Sequence, residues 1–400
     1  MYTHKKGIED KMKISKRAQV IEPSLSRQLF NMAKAYNDVV DLTLGDPDVL
    51  PAEIVRNAAC EAVKKGRTRY SANAGLIELR RAIAECVSQE YNIKIDPATE
   101  LIATVGGMEA LYLTIACLID EGDEVIIHAP YYVNYVQMVR MCGGVPVIIY
   151  TDEKSGFTFT REQLENAVTS KTAAIIINSP CNPTGVIFGN QLLDDIAEVA
   201  QRNNLVVISD EVYRTLIFDG KKHESIITRP GMKERTVLVD SLSKRFAMTG
   251  YRVGYAVAPA ELTENMTKMQ ENVAACAPLP SQYAGIAAYD FCKEDRHILE
   301  IFEQRRSYMA DAINGIRGLH CEMPAGTFYL FVNISSTGLD CLSFACKLLE
   351  EEHVAVVPGR TYGEAYDNYI RIAYTLDIER LKTAIERICR FMRQFEDKNA

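Results

Sequence analysis

The chain has 400 residues, 48% of them hydrophobic, and a formal net charge of -8. That length supports two domains, or one large domain with a satellite, and the acidic balance excludes a general nucleic-acid or membrane-surface binder, which needs a basic field. No run approaches the ~20 apolar residues of a membrane span. The 11 cysteines stand singly and the first residues (Lys5, Lys6, Glu9, Asp10, Lys11) are charged without an apolar core, so a reduced, cytoplasmic protein with no metal site is expected.

Residues 1 to about 20 read as a mobile arm, with a short helix from Ser26 to Ala35. Leu42-Thr43-Leu44 then runs into Gly45-Asp46-Pro47-Asp48, turn chemistry in which Gly45 is either an ordinary turn glycine or a point of close backbone approach to a ligand. Pro51 opens a helix through Lys65 that Gly66 ends, and a second helix is expected from Leu76 to Glu90. From about residue 100, continuous apolar runs recur at Leu101–Val105, Glu124–His128, Val145–Tyr150, Ala173–Asn178, Leu205–Ser209, Thr236–Asp240 and Gly254–Ala258. Helical patterns at Met108–Ile119, Tyr131–Cys142, Arg161–Val168 and Gln191–Asn203 separate several of them.

Such runs predict an α/β fold with a mainly parallel sheet covered by helices, binding its ligand at the carboxyl ends of the strands. From about residue 290 the alternation loosens: a helix His297–Ile316, a strand Phe328–Ile334, a helix Cys341–Glu352, strands Val354–Val357 and Tyr369–Tyr374, and a closing helix Asp377–Phe395. This suggests a second, smaller α+β domain. The expected division is an arm and helix over 1–45 packing with the small domain, a large domain over 46–288 and a small domain over 289–400.

Chemistry gathers at the expected strand ends. Gly106 and Gly107 open the helix before Met108, and free amides at a helix start form an anion site. Tyr131, Tyr132 and Tyr135 offer a ring to a planar cofactor, or simply pack together. Asn182 is fixed between Pro180 and Pro183, and Asp210, with Tyr213 three residues on, is either a helix cap or a carboxylate delivered into the crevice. Ser241, Ser243 and Arg252 surround Lys244 on a loop between two buried runs. Two hydroxyls and a guanidinium suit a phosphate, and the lysine beside them is placed to bond covalently to whatever carries it, which points to a pyridoxal phosphate Schiff base on Lys244. Arg371, in Tyr369–Tyr374, is either an exposed edge residue or a clamp on a substrate carboxylate.

Over roughly residues 25–395 the chain resembles the class I, fold-type I pyridoxal phosphate aminotransferases, in the branch with aspartate and aromatic aminotransferases. The motifs that carry this are Ser241-Leu242-Ser243-Lys244 with Thr249-Gly250-Tyr251-Arg252-Val253-Gly254-Tyr255, Asn182-Pro183-Thr184-Gly185, Asp210-Glu211-Val212-Tyr213, Tyr70 with Gly75 and Glu78-Leu79-Arg80, and Arg371. The resemblance implies a ping-pong exchange of an amino group between an L-amino acid and a 2-oxo acid. Lys244 would carry the cofactor and move the proton, Asp210 would pair with the ring nitrogen, and Tyr213 and Asn182 would bond the ring 3-oxygen. Tyr132 would lie against the ring; the amides of Gly107 and Met108, with Ser241, Ser243 and Arg252, would hold the phosphate. Arg371, with Gly45 and Asn182 close by, would bind the substrate carboxylate. Tyr70 would reach the neighbouring subunit's phosphate site, implying a homodimer with shared active sites.

The same scaffold also serves a carbon-sulfur lyase or an aminocyclopropane-carboxylate-type synthase. Met108 stands where related aspartate aminotransferases carry a lysine for the distal carboxylate, which weakens the case for aspartate; Arg360 is a candidate replacement or a surface arginine. Tyr112, Tyr135 and Phe328 would suit aromatic or large aliphatic donors.

Overall fold

The computed structural model describes residues 12–22, 25–293 and 295–395, so most of the expected arm lies outside the described residues. Its strands are β1 (Val40–Asp41), β2 (Leu101–Thr104), β3 (Glu124–Ala129), β4 (Val145–Tyr150), β5 (Thr172–Asn178), β6 (Val206–Asp210), β7 (Thr236–Ser241), β8 (Gly254–Val257), β9 (Tyr329–Asn333), β10 (Val354–Ala355), β11 (Val357–Pro358) and β12 (Tyr369–Ala373). Strands β2 to β8 form a 7-stranded sheet in the order β2-β8-β7-β6-β5-β3-β4.

The two faces of this sheet are apolar for a local reason. In β5, Ala174 and Ile176 pack in one buried cluster with Leu111 and Leu113 of the helix Gly106–Leu118. Ile175 and Ile177, on the alternate face, pack with Leu164, Leu193 and Ile196 of the helices Arg161–Ala167 and Asn190–Arg202. Burial on both sides is why the strand reads as an unbroken apolar run rather than an alternating one. β8 departs from the expected parallel order, pairing antiparallel with both β7 and β2. The link from β7, residues 242–253, holds only the short helix Leu242–Arg245 and a turn at Thr249–Tyr251, and it returns the chain antiparallel beside β7.

Two helices in this region escaped the sequence reading: Ala260–Val273 and Leu279–Cys292. The second buries Gln282, Ala284, Gly285, Ala287, Ala288 and Tyr289 and carries little polar contrast between its faces, so the 3.6-residue period is hidden. The expected Lys244 loop is instead a short helix, Leu242–Arg245, capped by Ser241, whose hydroxyl accepts from Ser243 N–H.

The C-terminal part folds around a 3-stranded antiparallel sheet, β11-β12-β9. Helices Cys341–Glu352 and Ile378–Met392, N-capped by Asp340 and Asp377, cover it with Phe344, Leu348, Leu381 and Ile388. The helix near the N-terminus runs over Leu25–Ala33, and the segment after it joins the same core, with β1 pairing parallel to β10.

Candidate active site

A cavity of about 490 Å³ opens where the carboxyl ends of β2, β3, β5, β6 and β7 meet. The turn after each strand contributes, as expected for an open parallel sheet. Gly107 and Met108 follow β2, in the first turn of a helix, where backbone N–H groups have no intrahelical partner. Tyr132, Asn134 and Tyr135 follow β3, Asn182 follows β5, Val212 and Tyr213 follow β6, and Ser243 and Lys244 follow β7, while Asp210 and Ser241 are the strand-end residues themselves. Gly45, Tyr329, Tyr362 and Arg371 enter from the small sheet and the segment strapped to it.

Asp210 is 4% exposed. Tyr135 donates its hydroxyl to Oδ2 at 2.6 Å, and the Val212 N–H donates to Oδ1 at 3.3 Å. Burial, its largest influence, raises the pKa to about 6 against the pull of these two bonds, and nearby Asp240 pushes the same way as burial. Among the described residues no cation pairs with this carboxylate. Asn178 braces the strand end, donating to the Asp210 carbonyl at 2.9 Å and accepting the Asn182 N–H at 2.8 Å.

Lys244 donates from Nζ to the Gly45 carbonyl at 2.6 Å. Withdrawal from water lowers its pKa to about 8; Arg371 and Arg252 push the same way, while Asp46 opposes. Gly45 is required sterically, since a Cβ there would sit 1.8 Å from the Tyr329 hydroxyl. The close backbone approach is thus to protein groups of the cavity.

Arg252 holds a left-handed backbone, φ +56°, which costs a non-glycine residue on the order of 1 kcal/mol. The turn aims its guanidinium at the start of the helix Gly106–Leu118, with Nη2 3.4 Å from the Val105 carbonyl and Nη1 3.1 Å from that of Thr249.

Arg371 lies at the centre of β12, opposite Phe331 of β9 and Val357 of β11, and is buried rather than an exposed edge residue. It donates from Nη1 to Asn182 Oδ1 at 3.2 Å and from Nη2 to the Thr43 carbonyl at 2.5 Å, while Nε has no partner among the described residues. The Tyr329 ring centroid is 4.2 Å from its guanidinium carbon. A buried cation held by neutral acceptors, with a donor to spare, is a seat for an anion.

Every site residue expected from the sequence lines this cavity except Tyr70, which is 85% exposed elsewhere on the surface. The neighbours suggested for the substrate fare less well. Tyr135 spends its hydroxyl on Asp210, Phe328 is buried behind Tyr213, and Tyr112 does not reach the lining. Arg360 binds Asp367 at 2.6 Å and lies off the cavity, so it supplies no distal cation there. Tyr329, which shares a 3.1 Å hydrogen bond with Tyr213, and Tyr362 were missed; nothing local marks a tyrosine as facing a site 100 or more residues away in the chain.

The pattern of the family described as "Aminotransferase class I and II" matches residues 37–388. The chain belongs to that family. It is 39% identical to an aspartate aminotransferase of Pyrococcus abyssi, over 96% of this chain and 99% of that one. It is 36% identical to the aromatic-amino-acid aminotransferase 2 of Thermococcus litoralis, with the same coverage of 96% and 99%. The solved aspartate aminotransferase of Thermus thermophilus with maleate superposes with a TM-score of 0.90 at 34% identity, covering 95% of this chain and all of that one.

This aminotransferase therefore uses pyridoxal phosphate to move an amino group between an amino acid and a 2-oxo acid. The cavity's residues fit that cofactor. A phosphate finds two hydroxyls, a guanidinium and free amides; a protonated ring nitrogen finds the uncompensated, buried Asp210; an aldehyde carbon finds the one lysine of the described lining, Lys244. The aminotransferase names of these relatives favour amino-group transfer over the lyase and synthase alternatives.

Proposed function

We propose that Lys244 is both the covalent anchor of the cofactor and the base of the reaction, that Asp210 holds the ring-nitrogen proton, and that Arg371 seats the α-carboxylate in two successive half-reactions. One observation carries this: three unbalanced charged groups face one cavity, an amine drawn down to a pKa of about 8, a buried carboxylate with no cation and a buried guanidinium with an unused donor. Bound there, pyridoxal phosphate supplies a conjugated ring that takes up the electron pair left when a bond to the substrate Cα breaks. Ser241, Ser243, Arg252 and the amides of Gly107 and Met108 bind the phosphate, while Tyr213 and Asn182 hydrogen-bond the 3-oxygen and Tyr132 lies against the ring. The Lys244 amine takes the proton from the substrate Cα. The large domain, 46–288, supplies the cofactor cradle, and the small domain, 289–400, supplies Arg371.

The lysine and arginines of the described lining, Lys244, Arg252 and Arg371, all have roles above. None is left on this subunit for a second carboxylate, and Met108 meets the Tyr132 hydroxyl through sulfur at 3.5 Å. This supports a donor with a large neutral side chain, aromatic or long aliphatic. Holoenzyme mixed with single amino acids and no acceptor should then lose its cofactor absorbance band to that of the amine form with such donors; silence across a broad panel would sink the reading. Arg371→Met should demand on the order of a few hundred- to a few thousand-fold more donor, since removing one partner of a buried charged contact costs about 3–5 kcal/mol.

We further propose a homodimer with shared sites. In support, Tyr70 stands 85% exposed in the single chain, and Val63 and Phe291, at 55% and 68%, crown two helices that pack against each other, Glu53–Lys64 and Leu279–Cys292. Co-expressed Lys244→Ala and Tyr70→Ala chains should form mixed dimers with one intact site and more activity than either variant alone. No gain on mixing would count against shared sites. No helix of the described residues is long and apolar enough to cross a membrane, and all 11 cysteines are unpaired, which fits a reducing cytoplasm.

A further inference from the structure

The residue after Asp210, Glu211, does not line the cavity and is 0% exposed. Ser209 and Ser225 donate hydroxyl hydrogens to its Oε1 at 2.8 and 2.5 Å, and its Oε2 is 2.7 Å from the Tyr91 hydroxyl. That hydroxyl is also 2.8 Å from His223 Nδ1, and His223 Nε2 is 2.8 Å from the Ser179 carbonyl oxygen. The His223 side chain is 5% exposed. Glu211 stands in the sequence motif Asp210-Glu211-Val212-Tyr213 without a role of its own, and nothing in the sequence singles out Tyr91 or His223.

The hydrogens of this chain can be counted. A carbonyl oxygen only accepts, so His223 Nε2 carries a hydrogen. Burial and Glu211 hold the Tyr91 pKa well above 10, so it remains a phenol with one hydrogen for two neighbours. If Tyr91 donates to Glu211, then Nδ1 must donate to Tyr91, and a buried imidazolium faces a buried carboxylate. If Tyr91 donates to Nδ1, then Glu211 Oε2 must carry the hydrogen that Tyr91 accepts. Both arrangements hold the same number of protons, so the choice is between an ion pair and a neutral chain.

The surroundings decide. The facing charged groups are Arg214 and Asp240, with Glu90 bound to Arg214. Arg214 is already matched, bonding Asp240 at 2.7 Å and Glu90, and its guanidinium carbon lies 5.5 Å from the Tyr91 ring centroid, where it disfavours a second cation. Asp240 disfavours a further anion at Glu211. Burial raises the Glu211 pKa to about 7 and lowers that of His223 to about 4, in the same sense.

We infer that Glu211, Tyr91 and His223 share one buried proton as a neutral acid, a phenol and a neutral imidazole, and that this uncharged chain positions Asp210 and the Asn182 turn. Glu211 continues the backbone of Asp210, so the hydrogen bonds that pin Glu211 also fix the strand end from which the Asp210 carboxylate enters the cavity. His223 grips Ser179, where the turn to Asn182 begins, and Asn182 in turn meets Arg371 at 3.2 Å. None of the three lines the cavity. The positioning half rests on the role proposed for Asp210; the proton count does not.

The test uses holoenzyme labelled with ¹⁵N-histidine, with His223→Gln to assign the signal. The expected spectrum is a neutral ring protonated at Nε2, constant between about pH 6 and 9, and an infrared band of a protonated carboxylic acid that disappears in Glu211→Gln. That amide keeps an acceptor for both serines and an N–H for Tyr91, so Glu211→Gln should hold kcat/KM within about twofold and keep the pH profile, whereas Glu211→Leu, with no hydrogen for Tyr91, should lose about tenfold or more. An imidazolium, or a hydrogen on Nδ1 of a neutral ring, overturns the proton count. A crippled Glu211→Gln or an unaffected Glu211→Leu, with the count intact, overturns the positioning role. A wild-type enzyme silent in the half-reaction would instead strike at the reading of Asp210 and Lys244.

Discussion

Replacing Lys244 with alanine is expected to lower kcat by at least about 10³-fold and to erase the absorbance of the lysine-bound cofactor. A positioned base contributes roughly 10²–10⁴-fold, and the proposed role makes the same residue the nucleophile that retains the cofactor. The fold should survive, because the change removes a charge held away from water whose hydrogen bond is to one carbonyl, that of Gly45. The wild-type apoprotein offers a companion measurement. The neutral amine is the reactive form, and burial lowers its pKa to about 8, so the neutral fraction rises as pH rises through that value. Pyridoxal phosphate should therefore attach faster from pH 7 to 9 and level off above, whereas an unperturbed lysine, near ~10.4, would keep climbing. Turnover retained by Lys244→Ala would remove the central assignment.

Asp210→Asn should cost on the order of a few hundred- to a few thousand-fold in kcat, the equivalent of about 3–5 kcal/mol for leaving a buried charge without its partner. Asparagine keeps the size and can still accept from Tyr135, so what is lost is the negative charge. Asp210 also has a predicted pH signature. Its pKa is raised to about 6, so the anion dominates above that pH and the neutral acid grows as pH falls through it. Cofactor affinity of the wild-type apoprotein should weaken along that limb, and the limb should be absent in Asp210→Asn. Tyr135→Phe removes a bond that favours the anion and should move the limb to higher pH. Fluorescence titrations of cofactor binding across pH would measure all three proteins. An Asp210→Asn enzyme with wild-type kcat would exclude the charge as the working feature.

The large sheet was legible because burial on both faces leaves runs such as Ala173–Asn178 with no polar residue to interrupt them. The polar residues that break each pattern at its end, Asp210 and Ser241 above all, were legible for the same reason. Direction was not: nothing in Gly254–Val257 marks it as antiparallel, and the link from β7 over residues 242–253 is long enough to leave either direction open. The helix Leu279–Cys292 was lost because a buried helix shows no polar stripe. The Leu242–Arg245 helix did carry a signal, Ser241 as a cap two residues before Ser243, that its functional hydroxyls obscured. Within the site, pairings across long separations stayed hidden. Tyr135 to Asp210 and Tyr91 to Glu211 join residues whose local patterns describe packing alone.

The antiparallel sheet β11-β12-β9 carries a consequence for how such an enzyme diversifies. Arg371 and Tyr329 hang from it, and Tyr362 follows close behind β11, whereas the hydroxyls, amides and carboxylate that fit the cofactor hang from the 7-stranded sheet. Tyr329 is bonded to Tyr213 of the cradle, whereas substitutions at Thr361 and Tyr362 can reshape what is accepted while leaving the cradle's framework untouched. Libraries aimed at a new amino donor belong at those positions, and drift there would let sister lineages part ways over substrate while their chemistry stayed the same.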